Sequence, residues 1–101
     1  NAALPAAFNK LTPASNASSQ SRTALVLTWG ASLGATSYEY CIDSNRNGVC
    51  NASWVSTGSA TTATLSGLAS KTNYEWQVRA VNTAGTRLAN NGSWWKFATI
   101  T

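Results

Sequence analysis

Asn73-Tyr74-Glu75-Trp76-Gln77-Val78-Arg79-Ala80-Val81-Asn82 is the stretch whose reading decides the fold. Tyr74, Trp76, Val78 and Ala80 alternate with Glu75, Gln77 and Arg79, a period of two that sets the groups on opposite faces of an extended strand. Apolar on one side and polar on the other is the pattern of an antiparallel strand with one face buried and one in water. Glu75, Gln77 and Arg79 are therefore expected to face solvent.

Shorter segments on either side repeat this period between turn residues. Leu25-Val26-Leu27-Thr28-Trp29 ends at Gly30, and Tyr38 to Asp43 places Tyr38, Tyr40 and Ile42 on one face and Cys41 on the other. Trp54 to Thr57 stops at Gly58, and Thr61 to Leu65 precedes the Ser66-Gly67 turn. Thr83 to Gly92 reads as a loop, and Ser93 to Thr99 as a last strand with Trp95 and Phe97 inward and Trp94 and Lys96 outward. With an irregular strand near Phe8 to Leu11, the total is about seven, the number typical of a two-sheet sandwich. The expected core is Leu25, Leu27, Trp29, Tyr38, Tyr40, Ile42, Leu65, Leu68, Tyr74, Trp76, Val78, Ala80, Trp95 and Phe97.

The 101 residues suit one domain, spanning about 4–100 of the chain. No apolar run reaches the roughly 20 residues of a membrane helix, so membrane insertion is not expected. Lys and Arg number 7 against 3 Asp and Glu, but Lys10, Arg22, Arg46, Lys71, Arg79, Arg87 and Lys96 are scattered. Without a basic cluster, the charge reads as solubility rather than a nucleic-acid surface. Met is absent, even at position 1, and Asn1 to Pro5 has no signal-peptide pattern. The chain thus reads as a module cut from a longer one, by default a monomer.

Cys41 and Cys50 bracket a loop rich in turn residues. Structural zinc takes four ligands, which two Cys and no His do not supply, and the Cys-x-x-Cys redox spacing is absent. A disulfide is the remaining reading, and it implies an oxidising, extracellular compartment.

Leu27-Thr28-Trp29, Leu68-Ala69-Ser70-Lys71-Thr72-Asn73-Tyr74 and the run from Val78 through Trp95-Lys96-Phe97-Ala98-Thr99 resemble the fibronectin type III family, from about Leu4 to the end of the chain. The resemblance implies a seven-stranded, antiparallel, immunoglobulin-like sandwich with Tyr74 as its corner tyrosine. Ser70 stands where the family often has Pro. Tyr38-Glu39-Tyr40-Cys41-Ile42-Asp43, with a second Cys soon after, resembles modules found in tandem in secreted or cell-surface bacterial proteins.

Chemistry is sparse. With no His and with Glu39, Asp43 and Glu75 the only carboxylates, an enzyme would need Glu39 and Glu75 gathered in a cleft, and catalysis is not expected. No cofactor is expected either. Asp43, Asn45, Asn47 and Gly48 match half of a calcium loop, but Trp54 stands where the bidentate Glu belongs, so a tight Asn/Gly turn is the preferred reading. Trp54 and Trp94 are candidate ligand contacts, and the 82–92 loop, which lacks Arg-Gly-Asp, is a candidate contact loop with Arg87 its charged member. Asn16, Asn51 and Asn91 begin Asn-x-Ser sequons, which mark surface positions only in a eukaryotic secretory pathway. The expected function is a non-catalytic extracellular spacer or adhesion module, whose partners are neighbouring domains and a polysaccharide or cell-surface protein. The alternative is a carbohydrate-binding module using exposed Trp.

Overall fold

The computed structural model describes residues 3–100. Among them lie strands β1 (Lys10–Thr12), β2 (Ala17–Gln20), β3 (Leu25–Trp29), β4 (Ser37–Asp43), β5 (Val55–Gly58), β6 (Thr62–Leu65), β7 (Asn73–Asn82), β8 (Gly85–Leu88) and β9 (Trp95–Thr99). One sheet has the order β1-β3-β6, and the other β2-β9-β7-β4-β5 with β8 also paired to β7. The expected all-β, two-sheet sandwich is observed, but its strand count and pairing differ. β8 lies in a stretch read as a loop and β2 in one assigned no strand, and β2 pairs with β9 in parallel rather than antiparallel. Both are four-residue, largely polar segments, held by backbone pairing at a sheet edge rather than by an apolar face.

Between the sheets Phe8, Leu25, Leu27, Trp29, Tyr38, Trp76, Val78, Ala80, Ala89 and Phe97 are buried. Phe8 and Ala89 join the expected core. Tyr40, Ile42, Leu65, Leu68, Tyr74 and Trp95 are only half-buried and pack against it, because they lie toward its rim. Tyr38 meets Trp29 with ring centroids 6.0 Å apart, and its hydroxyl accepts the Ser32 N–H at 2.8 Å. Tyr74 stacks on Phe97 at 5.5 Å, and its hydroxyl accepts the Ala69 N–H at 2.9 Å, the corner that the resemblance implied.

β7 organises the larger sheet. One edge pairs with β4 from Asp43↔Glu75 to Ser37↔Val81. The opposite edge pairs with β9 from Asn73 to Trp76 and with β8 from Arg79 to Asn82. At Gln77 and Val78 the chain between β8 and β9 turns away through Ala89–Gly92, and the ladder is interrupted.

Side chains fill that gap. Gln77 Oε1 accepts the Val78 N–H at 2.9 Å, while Gln77 Nε2 donates to the carbonyls of Ala89 at 3.2 Å and Ser93 at 3.1 Å. From β1 in the other sheet, Lys10 Nζ donates to Gln77 Oε1 and to the Ser93 carbonyl, each at 2.7 Å. The ammonium also stands 5.3 Å from the centroid of Trp95 and 5.8 Å from that of Trp76. Lys10 is 2% exposed, so this cation is part of the interior and not of the solubilising surface.

None of these contacts brings a negative charge, and burial lowers the Lys10 pKa from 10.5 to about 7. Between those two values the unfolded chain keeps a proton that the folded one has released, so stability rises with pH across that window. Chemical denaturation from pH 7 to pH 10 is expected to show a slope up to about 1.4 kcal/mol per pH unit steeper for the wild type than for Lys10→Met. Parallel pH profiles for the two proteins would show that the amine is charged and solvated in the folded state.

Candidate functional site

The expected site residues other than Arg87 lie on the outer face of the larger sheet, around the disulfide. Cys41 pairs with Gln77 across β4 and β7. Trp54 stands one residue before the Tyr40↔Val55 pair, and Trp94 one before the Trp76↔Trp95 pair. The alternation of strands therefore sets Trp54, Cys41, Gln77 and Trp94 in one row across the sheet. The two indoles meet, with centroids 6.2 Å apart and planes at 52°. Both are half-buried, and Cys41 and Gln77 are fully buried.

Arg79 continues this face. Its guanidinium carbon lies 4.3 Å from the Trp54 ring centroid, and its Nε donates to Glu39 Oε1 at 2.6 Å. The Arg79–Glu39 pair is partly exposed and contributes little to stability by itself. Trp54 and Trp94 thus pack on each other, with Arg79 over Trp54.

The disulfide joins Cys41 to Cys50, with Cα atoms 6.0 Å apart. Its loop folds back on Glu75, whose Oε1 accepts the Gly48 N–H at 2.9 Å and Oε2 the Asn47 N–H at 3.2 Å. Asp43, the cross-strand neighbour of Glu75, accepts the N–H of Asn45 at 3.0 Å and of Asn51 at 2.9 Å. Asn47 Oδ1 accepts the Val49 N–H at 3.4 Å. Two of the three side chains proposed for calcium, Asp43 and Asn47, thus have oxygens engaged with loop amides, as in an Asx turn. Among the described residues no three His, Cys, Asp or Glu groups gather as metal ligands.

Glu75 and Gln77 were expected in water and are fully buried. Alternation assigned their face correctly; the cover over that face comes from the disulfide loop and from the turn before β9. Burial raises the Glu75 pKa, and its hydrogen bond to Asp43 raises it further. Burial would also raise Asp43, but hydrogen bonds from Asn51, Glu75, Asn45 and Arg46 outweigh it and hold the carboxyl below its usual value. The two shifts run in opposite directions, as they do for neighbouring carboxyls that repel each other across a strand pair. Glu39 is engaged with Arg79 and Glu75 with Asp43, so Glu39 and Glu75 do not form an acid–base pair. Arg87 lies apart from this face, with its Nε donating to the Pro5 carbonyl at 2.6 Å.

The model of the fibronectin type III domain matches residues 12–92. The chain belongs to the fibronectin type III family. No curated protein sequence matches it. A Fn3-like protein from Clostridium thermocellum aligns over 100% of this fibronectin type III chain and 97% of its own, with 21% identity and a TM-score of 0.65. The fibronectin type-III domain of human fibronectin type III domain containing protein 3 aligns over 99% and 90%, with 19% identity and a TM-score of 0.66. The twitchin kinase region from C. elegans has 19% identity and a TM-score of 0.55, with 85% of this chain covering 15% of that one. At these identities the likeness is one of fold, and the last case shows it as one module within a longer chain.

Glu75→Gln keeps a donor for Asp43 and an acceptor for the loop but cannot ionise. Its unfolding free energy at pH 7 is expected within about 1 kcal/mol of wild type, whereas Glu75→Ala, which strands the Asn47 and Gly48 amides, should lose about 2–3 kcal/mol. Wild type should also lose stability relative to Glu75→Gln as pH rises through the elevated Glu75 value. Equal losses in both variants, measured by urea denaturation, would contradict the raised Glu75 pKa.

Proposed function

We propose that this fibronectin type III domain is a non-catalytic extracellular module of a larger secreted or surface protein, holding neighbouring domains apart and adding adhesive contacts. The observation that carries this reading is the Cys41–Cys50 disulfide, whose loop is pinned to β7 through Glu75. A bridge of this kind persists in an oxidising compartment and suits a part that must resist unfolding outside the cell. The course of the chain supports the spacer role. The Ala3 carbonyl accepts Asn82 Nδ2, at the C-terminal end of β7, while Ile100 bonds to Gln20 and Lys71, near its N-terminal end. Tension applied through these two positions would run along the 49 Å length of the sandwich. The Cys-containing strand resembles bacterial surface modules, which favours a polysaccharide or a cell-surface protein as the external partner.

Single-molecule stretching of a tandem polyprotein tests the proposal. Each oxidised domain is expected to resist in one step and to release about 3 nm less chain than after reduction, since the bridge withholds the segment between its cysteines. Extension without a force peak would contradict a load-bearing spacer. Alkylation of both cysteines in protein taken from its own source would contradict the extracellular placement.

A further inference from the structure

On the outer sheet face, where an aromatic platform was the alternative reading, the Trp54 and Trp94 rings pack on each other and Arg79 covers Trp54. A different aromatic borders open space. Trp95, half-buried, walls a groove of about 490 Å³ together with Phe8, Asn9, Asn90, Asn91 and Ser93. A second groove of about 340 Å³ shares Asn91 and runs on past Gly92 to Arg87 and Leu88. Both volumes fall in the range of small-ligand sites.

The lining has a definite chemistry. Trp95 offers apolar ring surface, and the Asn9 and Asn91 carboxamides and the Ser93 hydroxyl offer donors and acceptors. No side chain lining the first groove is charged. The Lys10 ammonium beneath it is buried, with hydrogen bonds to Gln77 and to the Ser93 carbonyl. The turn is also anchored. Asn90 Oδ1 accepts the Lys10 N–H at 2.9 Å, and Asn90 and Asn91 take left-handed φ values of 56° and 58° in succession. A molecule that pairs apolar C–H faces with many neutral hydroxyls matches such a surface; a charged ligand has no counter-charge in the first groove.

We propose that the groove walled by Trp95, Asn9, Asn90, Asn91 and Ser93 binds a neutral oligosaccharide, with Asn91 at the junction of two sugar subsites. This site goes beyond the spacer role and is separate from the Trp54–Trp94 pair. The spacer reading stands or falls by the stretching experiment whether or not a sugar binds here.

The test is a titration of ¹⁵N-labelled domain with neutral pentasaccharides of glucose, N-acetylglucosamine and mannose at millimolar concentration. Saturable shifts are expected at the amides of Asn9, Asn90, Asn91 and Ser93 and at the Trp95 indole N–H for at least one of them. Asn91→Gly keeps the left-handed backbone while deleting the carboxamide. It should weaken binding about fivefold to tenfold, the loss of one or two hydrogen bonds, and leave the rest of the spectrum unchanged. Trp54→Ala should bind as wild type. Absence of saturable shifts with all three sugars, shifts confined to residues around Trp54 and Trp94, or unaltered affinity in Asn91→Gly would each overturn the proposal.

Discussion

The sandwich depends on how β7 changes partners halfway along one edge. A strand that leaves β9 after Trp76 and meets β8 only at Arg79 exposes backbone groups that must be satisfied. Gln77 answers with its own carboxamide, bonding the Val78 N–H and two carbonyls of the departing chain. Lys10 completes the plug from the opposite sheet, so one contact closes the ladder and ties the two sheets together. The arrangement buries a cation at a cost, offset by two oxygen acceptors and two indole rings and relieved by its lowered pKa.

The outer face of the same sheet is covered by the same logic. A polar strand face can be withdrawn from water only where each polar group finds a partner, and on β7 each does so differently. Glu75 receives amides of the disulfide loop, Gln77 fills the ladder gap, and Arg79 bonds Glu39 and lies against Trp54. The disulfide fixes where the loop can lie, and Glu75 fixes how it lies there. The surface chemistry then moves to the turn between β8 and β9, where paired left-handed Asn residues face open space beside Trp95.

Sequence alternation revealed the strands with strong apolar faces. β3, β4, β7 and β9 carry the core as expected, since a period of two needs only local information. What lies over a polar face depends on distant segments, so the burial of Glu75 and Gln77 was not legible. β2, with the sequence Ala-Ser-Ser-Gln, and β8, with Gly-Thr-Arg-Leu, have no apolar alternation to announce them. Lys10 left one usable sign: it stands two residues after Phe8, in phase with a buried aromatic. The groove at Asn90 and Asn91 was hidden because left-handed turns bring together side chains that no strand period would pair. The cysteine pairing was readable by elimination, and within the calcium-like spacing the Asp43 and Asn47 oxygens are bound to loop amides.

A fibronectin type III scaffold can carry many roles, so what distinguishes this one lies in the plug, the pinned disulfide loop and the Asn-lined groove. The plug and the groove both depend on the chain leaving β7 at Leu88, opposite Arg79, and returning to it at Trp95. Native-state hydrogen exchange at the Val78 amide tests this most directly, because its acceptor on that edge is the Gln77 side chain. The account predicts that Val78 exchanges as slowly as the Trp76 amide, through global unfolding alone. Exchange at the rate of a solvated edge amide would show that the gap is open and that Lys10 and Gln77 do not hold the sandwich closed.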